Sequence, residues 1–284
     1  GEGVFINVWD AEMETEARAI LKTHDALNAN VEFFHHRAYE PWCRDHGPVF
    51  AKNKSTRAVI NWDYNAWGEK YPPYDLDNEI PTQIAAARCL EMFTPQMVLE
   101  GGSIEVNGAG TLLTTESCLL NPNRNPNLTR EQIEQRLCGF LGVTEIIWLG
   151  EGIAGDDTDG HIDGLTRFVD EQTVVTAIEE NPKDENHAPL QANRQRLRET
   201  ALRVIELPMP PPVIFQNQRL PASYANFYIG NQVVLLPTFR HANDDRAKSI
   251  LQDSFPTRTI VPLNATDLIW GLGSFHCLTQ QEPA

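Results

Sequence analysis

The alternation of apolar and polar positions divides this chain into units that repeat. In each unit a β-hairpin is followed by an amphipathic helix and a short apolar strand, because the apolar period changes from two residues to about 3.6 and back. The predicted helix starts near residues 130, 188 and 244 lie about 58 residues apart. We therefore expect one ββαβ arrangement to recur along the chain.

The pattern also predicts where each unit begins and ends. The predicted hairpin, helix and strand cover 49–62, 81–93 and 97–99; 104–120, 130–140 and 145–149; 162–178, 190–202 and 203–207; and 224–239, 244–255 and 257–263. Segments 4–10, 13–27 and 31–35 are typical of the strand, helix and strand that end another unit. Residues 274–279 are predicted to form the first strand of a hairpin.

Repeated units of this size are typical of blades arranged around an axis. A doubly wound parallel sheet is disfavoured, because a hairpin interrupts every strand–helix–strand step. The predicted fold is α/β, a five-bladed propeller of ββαβ units whose first blade is incomplete at the N-terminus. Since a strand begins almost at once, at Val4, we expect an N-terminal segment to be missing and residues 1–284 to form a single domain.

Polar residues occupy the same position in every unit, where the loop enters the hairpin. The set comprises Trp42–Asp45, Glu100–Ser103, His161 with Asp163, Asn226, and His276 with Cys277. In a propeller these equivalent positions face the axis, where a core would require apolar residues. We therefore expect the polar groups to converge at one end of a central channel.

The densest of these polar stretches is GDDTDGHID at residues 155–163, with four carboxylates and one histidine in nine residues. Such acids repel one another unless a cation, a metal or a proton relieves the repulsion. His161 and Asp163 stand two residues apart, the spacing at which strand side chains point to one side. A solvated acidic turn is an alternative. A calcium or magnesium site at 156–159 is another, although the alternating spacing of a calcium loop is lacking.

Composition narrows the classes of partner. The chain is 41% hydrophobic and 22% charged, and its net charge of −16 disfavours nucleic-acid binding and suits a cationic partner. Its sequence contains no stretch approaching the roughly 18 apolar residues of a membrane span. Its five cysteines show no disulfide spacing, which is typical of a reducing, cytoplasmic location. Cys43 and His46 could form half of a zinc site, but a second ligand pair at zinc spacing is lacking.

The convergent residues suit chemistry on a flat cation. Asp45 and Asp163 could hold a guanidinium from two sides, because its five N–H donors pair well with carboxylates. Trp42 could lie against the flat face of the cation. Cys277 requires activation, by His161 or by the cation itself, because only a small fraction of a free thiol is ionised at neutral pH.

Four motifs resemble the agmatine deiminase family of guanidino-group-modifying enzymes, which also include bacterial-type peptidylarginine deiminases. The motifs are WCRDHGP at 42–48, LEGGS at 99–103, GDDTDGHID at 155–163 and HCLTQQEP at 276–283. The resemblance extends over essentially the whole chain. It implies the five-bladed α/β propeller called the pentein fold, here as one catalytic domain.

The resemblance also implies a function for particular residues. The catalytic set would be Cys277 as nucleophile, His161 as general acid and base, and Asp45 and Asp163 as guanidinium carboxylates; the substrate-binding set would be Trp42, Asp157 and Asn226. The implied reaction converts agmatine to N-carbamoylputrescine and ammonia through an amidino-cysteine intermediate. It needs neither a metal nor an organic cofactor, and family analogy implies a homodimer.

The same residues leave three other functions to consider. A deiminase of free or peptidyl arginine would use the same chemistry and form citrulline. A Cys-His-Asp acyl-transfer hydrolase would have no use for Asp45 facing the nucleophile, because an oxyanion requires donors there. A guanidine-binding pentein without activity is a further alternative. The acid-rich segment 69–77, with three acids and one lysine, favours a substrate with an amine tail over one with a carboxylate tail.

Overall fold

Residues 2–284, which the computed structural model describes, form six small β-sheets. Four of them have three strands and contain the predicted unit, in which two antiparallel strands are followed by a helix and a strand parallel to the second. The first sheet has two parallel strands, as expected for an incomplete unit. The sixth is a hairpin of Val213–Phe215 and Gln218–Leu220, which the periodicity did not predict.

The five units follow one another in chain order. The first contains strand Val4–Asn7, helix Ala11–Thr23 and strand Val31–Phe34. The second contains strands Val49–Lys52 and Arg57–Ile60, helix Asp75–Arg88 and strand Glu91–Phe93. The third contains strands Glu105–Val106 and Thr111–Thr115, helix Arg130–Leu141 and strand Glu145–Leu149.

The last two units repeat this order. The fourth contains strands Thr166–Phe168 and Thr173–Ile178, helix His187–Arg198 and strand Arg203–Pro208. The fifth contains strands Tyr228–Ile229 and Val233–Thr238, helix Asn243–Ser254 and strand Thr259–Asn264. Short helical turns lie in the loops between and after the units, at Cys43–His46, Gly101–Ser103, Ile162–Gly164 and Leu268–Gly271. Two more lie within the second and third units, between hairpin and helix, at Ala66–Glu69 and Glu116–Leu119.

The predicted boundaries in the second unit were wrong. Its helix begins at Asp75 instead of Pro81, because acidic residues fill the first turn, where they complement the helix dipole. Its final strand is Glu91–Phe93. Residues 97–99 form no strand of that sheet, since Val98 makes only an isolated bridge to Asp63.

Residues 274–279 form a turn and not the predicted strand. The backbone N–H of Leu278 donates to the carbonyl of Ser274 at 3.1 Å, so local bonds take the place of ladder pairing. The N–H of Arg44 donates to the carbonyl of Cys277 at 3.0 Å. The turn that carries Cys277 is therefore fixed from outside by a residue of the loop before the second unit.

A buried arginine joins three successive units where their hairpins begin. Arg167 of the fourth unit donates through Nε to Glu105 of the third unit at 2.9 Å. Its Nη1 donates to the carbonyls of Ala225 and Phe227, at 3.1 and 2.7 Å, just before the fifth unit. These contacts place equivalent ends of consecutive units side by side, as the repeat predicts.

Apolar residues of the helices and sheets in the second to fifth units form the core, whereas the first helix, Ala11–Thr23, has no buried residue. In the third unit, Ile133 and Leu137 of the helix are buried in one cluster with Leu112 and Trp148 of the sheet. The helix of such a unit packs on the sheet and leaves the polar loop ends free to meet. Within residues 2–284, the structure contains no helix that is both long and apolar enough to span a membrane.

The Arg167→Met variant should lower the free energy of unfolding by about 3–5 kcal/mol, because Glu105 would stay buried without its cation. Arg246→Met removes a surface ion pair with Glu180 and should cost less than about 1 kcal/mol. Urea denaturation of the two variants checks this difference. Equal losses would contradict the structural role assigned to the buried pair.

Candidate active site

A cavity of about 250 Å³ lies where the polar ends of the units meet. Four of the predicted site residues line it, namely Trp42, Asp45, Asp157 and Cys277. The other three, His161, Asp163 and Asn226, line a smaller cavity that shares Cys277 with the first. The structure thus brings together all seven residues singled out from the sequence.

Asp163 lies at the centre of the hydrogen bonds around the Cys277 thiol. Its Oδ2 lies 2.7 Å from Nδ1 of His276 and 3.5 Å from Sγ of Cys277. The amide of Asn226 donates to this oxygen at 3.1 Å and to Sγ at 3.2 Å. Burial, with Arg167 and Arg44 nearby, holds the pKa of His276 well below its ordinary value, so the neutral ring donates to Asp163.

The Cys277 thiol lies in surroundings that disfavour its thiolate. Burial raises the pKa of Cys277 well above its ordinary range, and the carboxylates of Asp163 and Asp45 raise it further. The thiol is therefore protonated at neutral pH when only the protein surrounds it. A cation between Cys277 and the two carboxylates would reverse this preference.

Asp45 is a buried carboxylate whose two oxygens each accept a hydrogen bond. The backbone N–H of Gly102 donates to Oδ1 at 3.0 Å, and the indole N–H of Trp67 donates to Oδ2 at 2.9 Å. Burial raises the pKa of Asp45 to about 6, although His161 and the Trp67 hydrogen bond lower it. Asp45 therefore remains ionised at neutral pH, and its oxygens can accept further hydrogen bonds.

The two glycines of the LEGGS motif allow the backbone to lie against these groups. A Cβ atom on Gly102 would lie 2.6 Å from Oδ1 of Asp45 and 2.6 Å from Nδ1 of His161. A Cβ atom on Gly101 would lie 2.2 Å from the carbonyl oxygen of Arg44. Both positions are thus closed to any side chain.

His161 lies between two carboxylates. Its Nδ1 lies 3.7 Å from Oδ1 of Asp45, and its Nε2 lies 3.9 Å from Oε2 of Glu100. Burial alone would lower the pKa of His161, but Asp45 and Glu100 outweigh burial and raise it well above its ordinary value. His161 is therefore a cation at neutral pH and can donate a proton.

Glu100 is a site residue to which sequence reasoning assigned no role, although it occupied a convergent position. It is fully buried, and Nε of Arg124 donates to its Oε1 at 2.6 Å. Burial raises the pKa of Glu100, but His161 and Arg124 lower it below its ordinary value. Arg124 also donates to Oδ2 of Asp159 at 2.7 Å, so it ties Glu100 to the acidic stretch.

The acidic stretch 155–163 is folded by its own carboxylates and by neighbouring cations. Asp156 accepts from the backbone N–H and the hydroxyl of Thr158, at 2.9 and 2.6 Å. Lys70 donates to Asp159 at 2.8 Å. These partners relieve the repulsion between the carboxylates that the sequence predicted, and they hold His161 near the end of the stretch.

The predicted half-site for zinc is engaged in other contacts. Sγ of Cys43 donates to the carbonyl of Leu278 at 2.7 Å. Nε2 of His46 lies 3.0 Å from the carbonyl of Glu40. Both groups therefore have backbone partners in the structure.

The outer wall of the larger cavity combines aromatic and acidic groups. Trp42 is packed so tightly that a Cβ atom on Gly273 would lie 2.5 Å from its ring. Glu40 and Asp157 also line the wall, and Tyr71 donates its hydroxyl hydrogen to Asp157. Among residues 2–284, the lining contains no lysine or arginine, so this end of the cavity favours a positive charge.

Comparisons with known proteins show which family the chain belongs to. Residues 1–283 match the family described as Porphyromonas-type peptidyl-arginine deiminase. The agmatine deiminase of Pseudomonas syringae pv. tomato is 38% identical over 285 residues, which cover 90% of this chain and 77% of that protein.

Solved structures extend the similarity to the fold. A C. jejuni agmatine deiminase structure, with a Cys-to-Ser substitution and substrate bound, has a TM-score of 0.88 and 30% identity, over 98% of this chain and 93% of that one. The structure of the agmatine deiminase of Enterococcus faecalis has a TM-score of 0.90 and 30% identity, over 99% of this chain and 83% of that one. These matches confirm the predicted pentein fold class, and the chain belongs to the Porphyromonas-type peptidyl-arginine deiminase family.

Proposed function

We propose that this protein is an agmatine deiminase that converts agmatine and water to N-carbamoylputrescine and ammonia. The observation that carries the proposal is the buried negative charge of Asp45 and Asp163 around the Cys277 thiol, which His161 balances only in part. A guanidinium supplies the missing positive charge in the geometry that two carboxylates bind best. Similarity to agmatine deiminases over most of the chain supports the same substrate.

Substrate binding prepares the nucleophile. The guanidinium lies between Asp45 and Asp163, with its central carbon over Sγ of Cys277. Its positive charge removes the repulsion that keeps the thiol protonated, so the thiol loses its proton to solvent, and the thiolate forms, only when a substrate is in place. The Asn226 amide, which donates to Sγ at 3.2 Å, stabilises the anion.

The first half-reaction transfers the amidino group to the enzyme. The thiolate attacks the guanidinium carbon and forms a C–S bond. His161, a cation at neutral pH, donates its proton to the nitrogen that leaves. The C–N bond breaks and ammonia departs, leaving an amidino-cysteine on Cys277.

Water completes the reaction. His161 is now neutral and accepts a proton from a water molecule that attacks the same carbon. The C–S bond of the tetrahedral species then breaks and its hydroxyl proton passes to the departing sulfur, which gives the ureido product and restores the Cys277 thiol. Glu100 acts on this cycle by holding the ring of His161 through its charge, 3.9 Å from Nε2.

The outer wall selects the tail of the substrate. Agmatine ends in an ammonium, which Glu40 and Asp157 would attract across the cavity, with Trp42 along the carbon chain. Arginine carries a carboxylate, which the same acids would repel. A deiminase of free or peptidyl arginine is therefore the less favoured alternative, and a non-catalytic guanidine-binding protein would have no need for a protonated His161.

The loops before four of the units contribute residues to the site, so residues 1–284 are proposed to act as one catalytic domain. The homodimer, the cytoplasmic location, and the absence of nucleic-acid and membrane partners stay predictions.

Replacing the nucleophile tests the covalent mechanism. Cys277→Ser should reduce kcat for agmatine by about 10⁴-fold or more, because the hydroxyl cannot take the place of the thiolate. Agmatine should still bind, as calorimetry would measure, since both carboxylates remain. Cys89→Ser, at an exposed cysteine, is the matched control. Undiminished release of ammonia by Cys277→Ser would contradict the mechanism.

The pH dependence tests the role of Asp45. Because only the anion binds guanidinium, kcat/KM should decline as the pH falls through the Asp45 pKa of about 6. Trp67→Phe removes a hydrogen bond that lowers this pKa, so the acid limb should move upward by about 0.5–1 pH unit. Trp62→Phe, a buried tryptophan outside the cavity, should not move it. If the acid limb of kcat/KM did not move in Trp67→Phe, its assignment to Asp45 would be wrong.

Substrate preference tests the outer wall. The enzyme should prefer agmatine to arginine in kcat/KM, and Asp157→Asn with Glu40→Gln should narrow that preference by about tenfold, mostly through KM for agmatine. Asp245→Asn with Asp253→Asn, at two exposed acids of one surface helix, removes the same charge and is the control. An unchanged ratio in the double variant would show that these acids do not select the tail.

A further inference from the structure

A second cluster of ligand-type side chains lies next to His161. Suitable atoms of Glu100, Cys118 and His161 all lie within 4.8 Å of one another, and all three residues are buried. Neither Glu100 nor Cys118 lines either cavity. The cluster is therefore distinct from the place where the guanidinium is proposed to bind, although it shares His161 with that site.

Two atoms of this cluster have no hydrogen-bond partner. Nε2 of His161 and Oε2 of Glu100 are both buried and unsatisfied, and they face each other at 3.9 Å. Buried polar atoms without partners are uncommon and call for an explanation. Arg124 occupies the other oxygen of Glu100, so Oε2 is held towards the gap and not towards solvent.

The three ligand types match a soft divalent cation. Zn²⁺ binds nitrogen, sulfur and carboxylate oxygen at about 2.0–2.3 Å in tetrahedral geometry, which separates the ligand atoms by about 3.3–3.8 Å. Since the observed atoms lie within 4.8 Å of one another, they need to approach by at most about 1.5 Å to reach that geometry. Mg²⁺ and Ca²⁺ prefer six or more oxygen ligands, which this cluster does not offer.

Charge balance favours the same ion. The Glu100 carboxylate and a Cys118 thiolate would together neutralise Zn²⁺, with neutral His161 as the third ligand. Binding would release the thiol proton of Cys118 and the proton on Nε2 of His161 to solvent. A water molecule would occupy the fourth position, and the ion with its three protein ligands would carry no net charge.

We propose that Glu100, Cys118 and His161 form a site for Zn²⁺, and that an ion bound there inhibits the enzyme. The inhibition rests on the proposed function, because a metal on Nε2 replaces the His161 imidazolium, the acid of the proposed mechanism, with a neutral ring. The site differs from capture of an ion by the reactive thiol, since it includes Cys118 and leaves Cys277 free.

Direct binding tests the site without reference to activity. In a Cys277→Ala protein, Co²⁺ should bind with one equivalent and give a thiolate-to-metal charge-transfer band, and Zn²⁺ should displace it. Adding Cys118→Ala should abolish the band and weaken Zn²⁺ binding by at least about 100-fold, since loss of an outer-shell partner alone costs about 10- to 100-fold. Adding Cys89→Ala should change neither.

Two results of this titration would overturn the proposed site. One is a charge-transfer band that persists in the variant without Cys118. The other is a Cys277→Ala protein that binds neither Co²⁺ nor Zn²⁺. Cys118→Ser, nearly isosteric with cysteine, replaces Cys118→Ala if circular dichroism shows that the alanine variant is unfolded, and it too should lose the band.

Activity then tests the inhibition separately. Each enzyme is compared with its own metal-free rate, so a change in basal turnover does not matter. Zn²⁺ should inhibit the Cys118→Ser enzyme at least about tenfold less strongly than the unsubstituted one, and a chelator should restore activity. Equal sensitivity would overturn the inhibitory role. If the ion binds through Cys118 but no guanidine is turned over, the proposed function fails while the metal site stands.

Discussion

Buried negative charge around one cavity is the constraint on which the rest of the structure depends. Asp45, Glu100 and Asp163 are at most 4% exposed, and carboxylates withdrawn from water need opposite charge or donors nearby. Arg124 provides this for Glu100. Asp45 and Asp163 instead face a thiol whose pKa they raise, so the balance is completed only when a cationic substrate arrives.

The repeating fold allows a single chain to hold this much buried charge around one cavity. In the last four units a helix packs on the sheet, and the loops between units bring polar residues to the same cavity, so no unit has to bury all the charge within its own core. The Arg167–Glu105 pair joins the hairpin starts of neighbouring units. Glycine at 102 lets the backbone approach Asp45 and His161 closely, and glycine at 101 lets it approach the carbonyl of Arg44.

Much of this arrangement could be predicted from the sequence, because the apolar period marks each unit and the polar positions recur at one phase of it. The pattern failed where tertiary contacts decide the backbone. The turn at 274–279 depends on local bonds and on Arg44, which a strand-like alternation does not reveal. The role of Glu100 depends on Arg124, whose partner is 24 positions away, and periodicity carries no information on such a pairing.

The central claim is that substrate binding lets Cys277 attack a guanidinium carbon. The most direct test is to stop the reaction with acid during turnover of agmatine and to measure the mass of the peptide that contains Cys277. The account predicts an amidino-type adduct on that cysteine, formed with loss of ammonia and absent without substrate. Steady release of ammonia from an enzyme whose Cys277 is blocked by alkylation, with no adduct at any time, would contradict it.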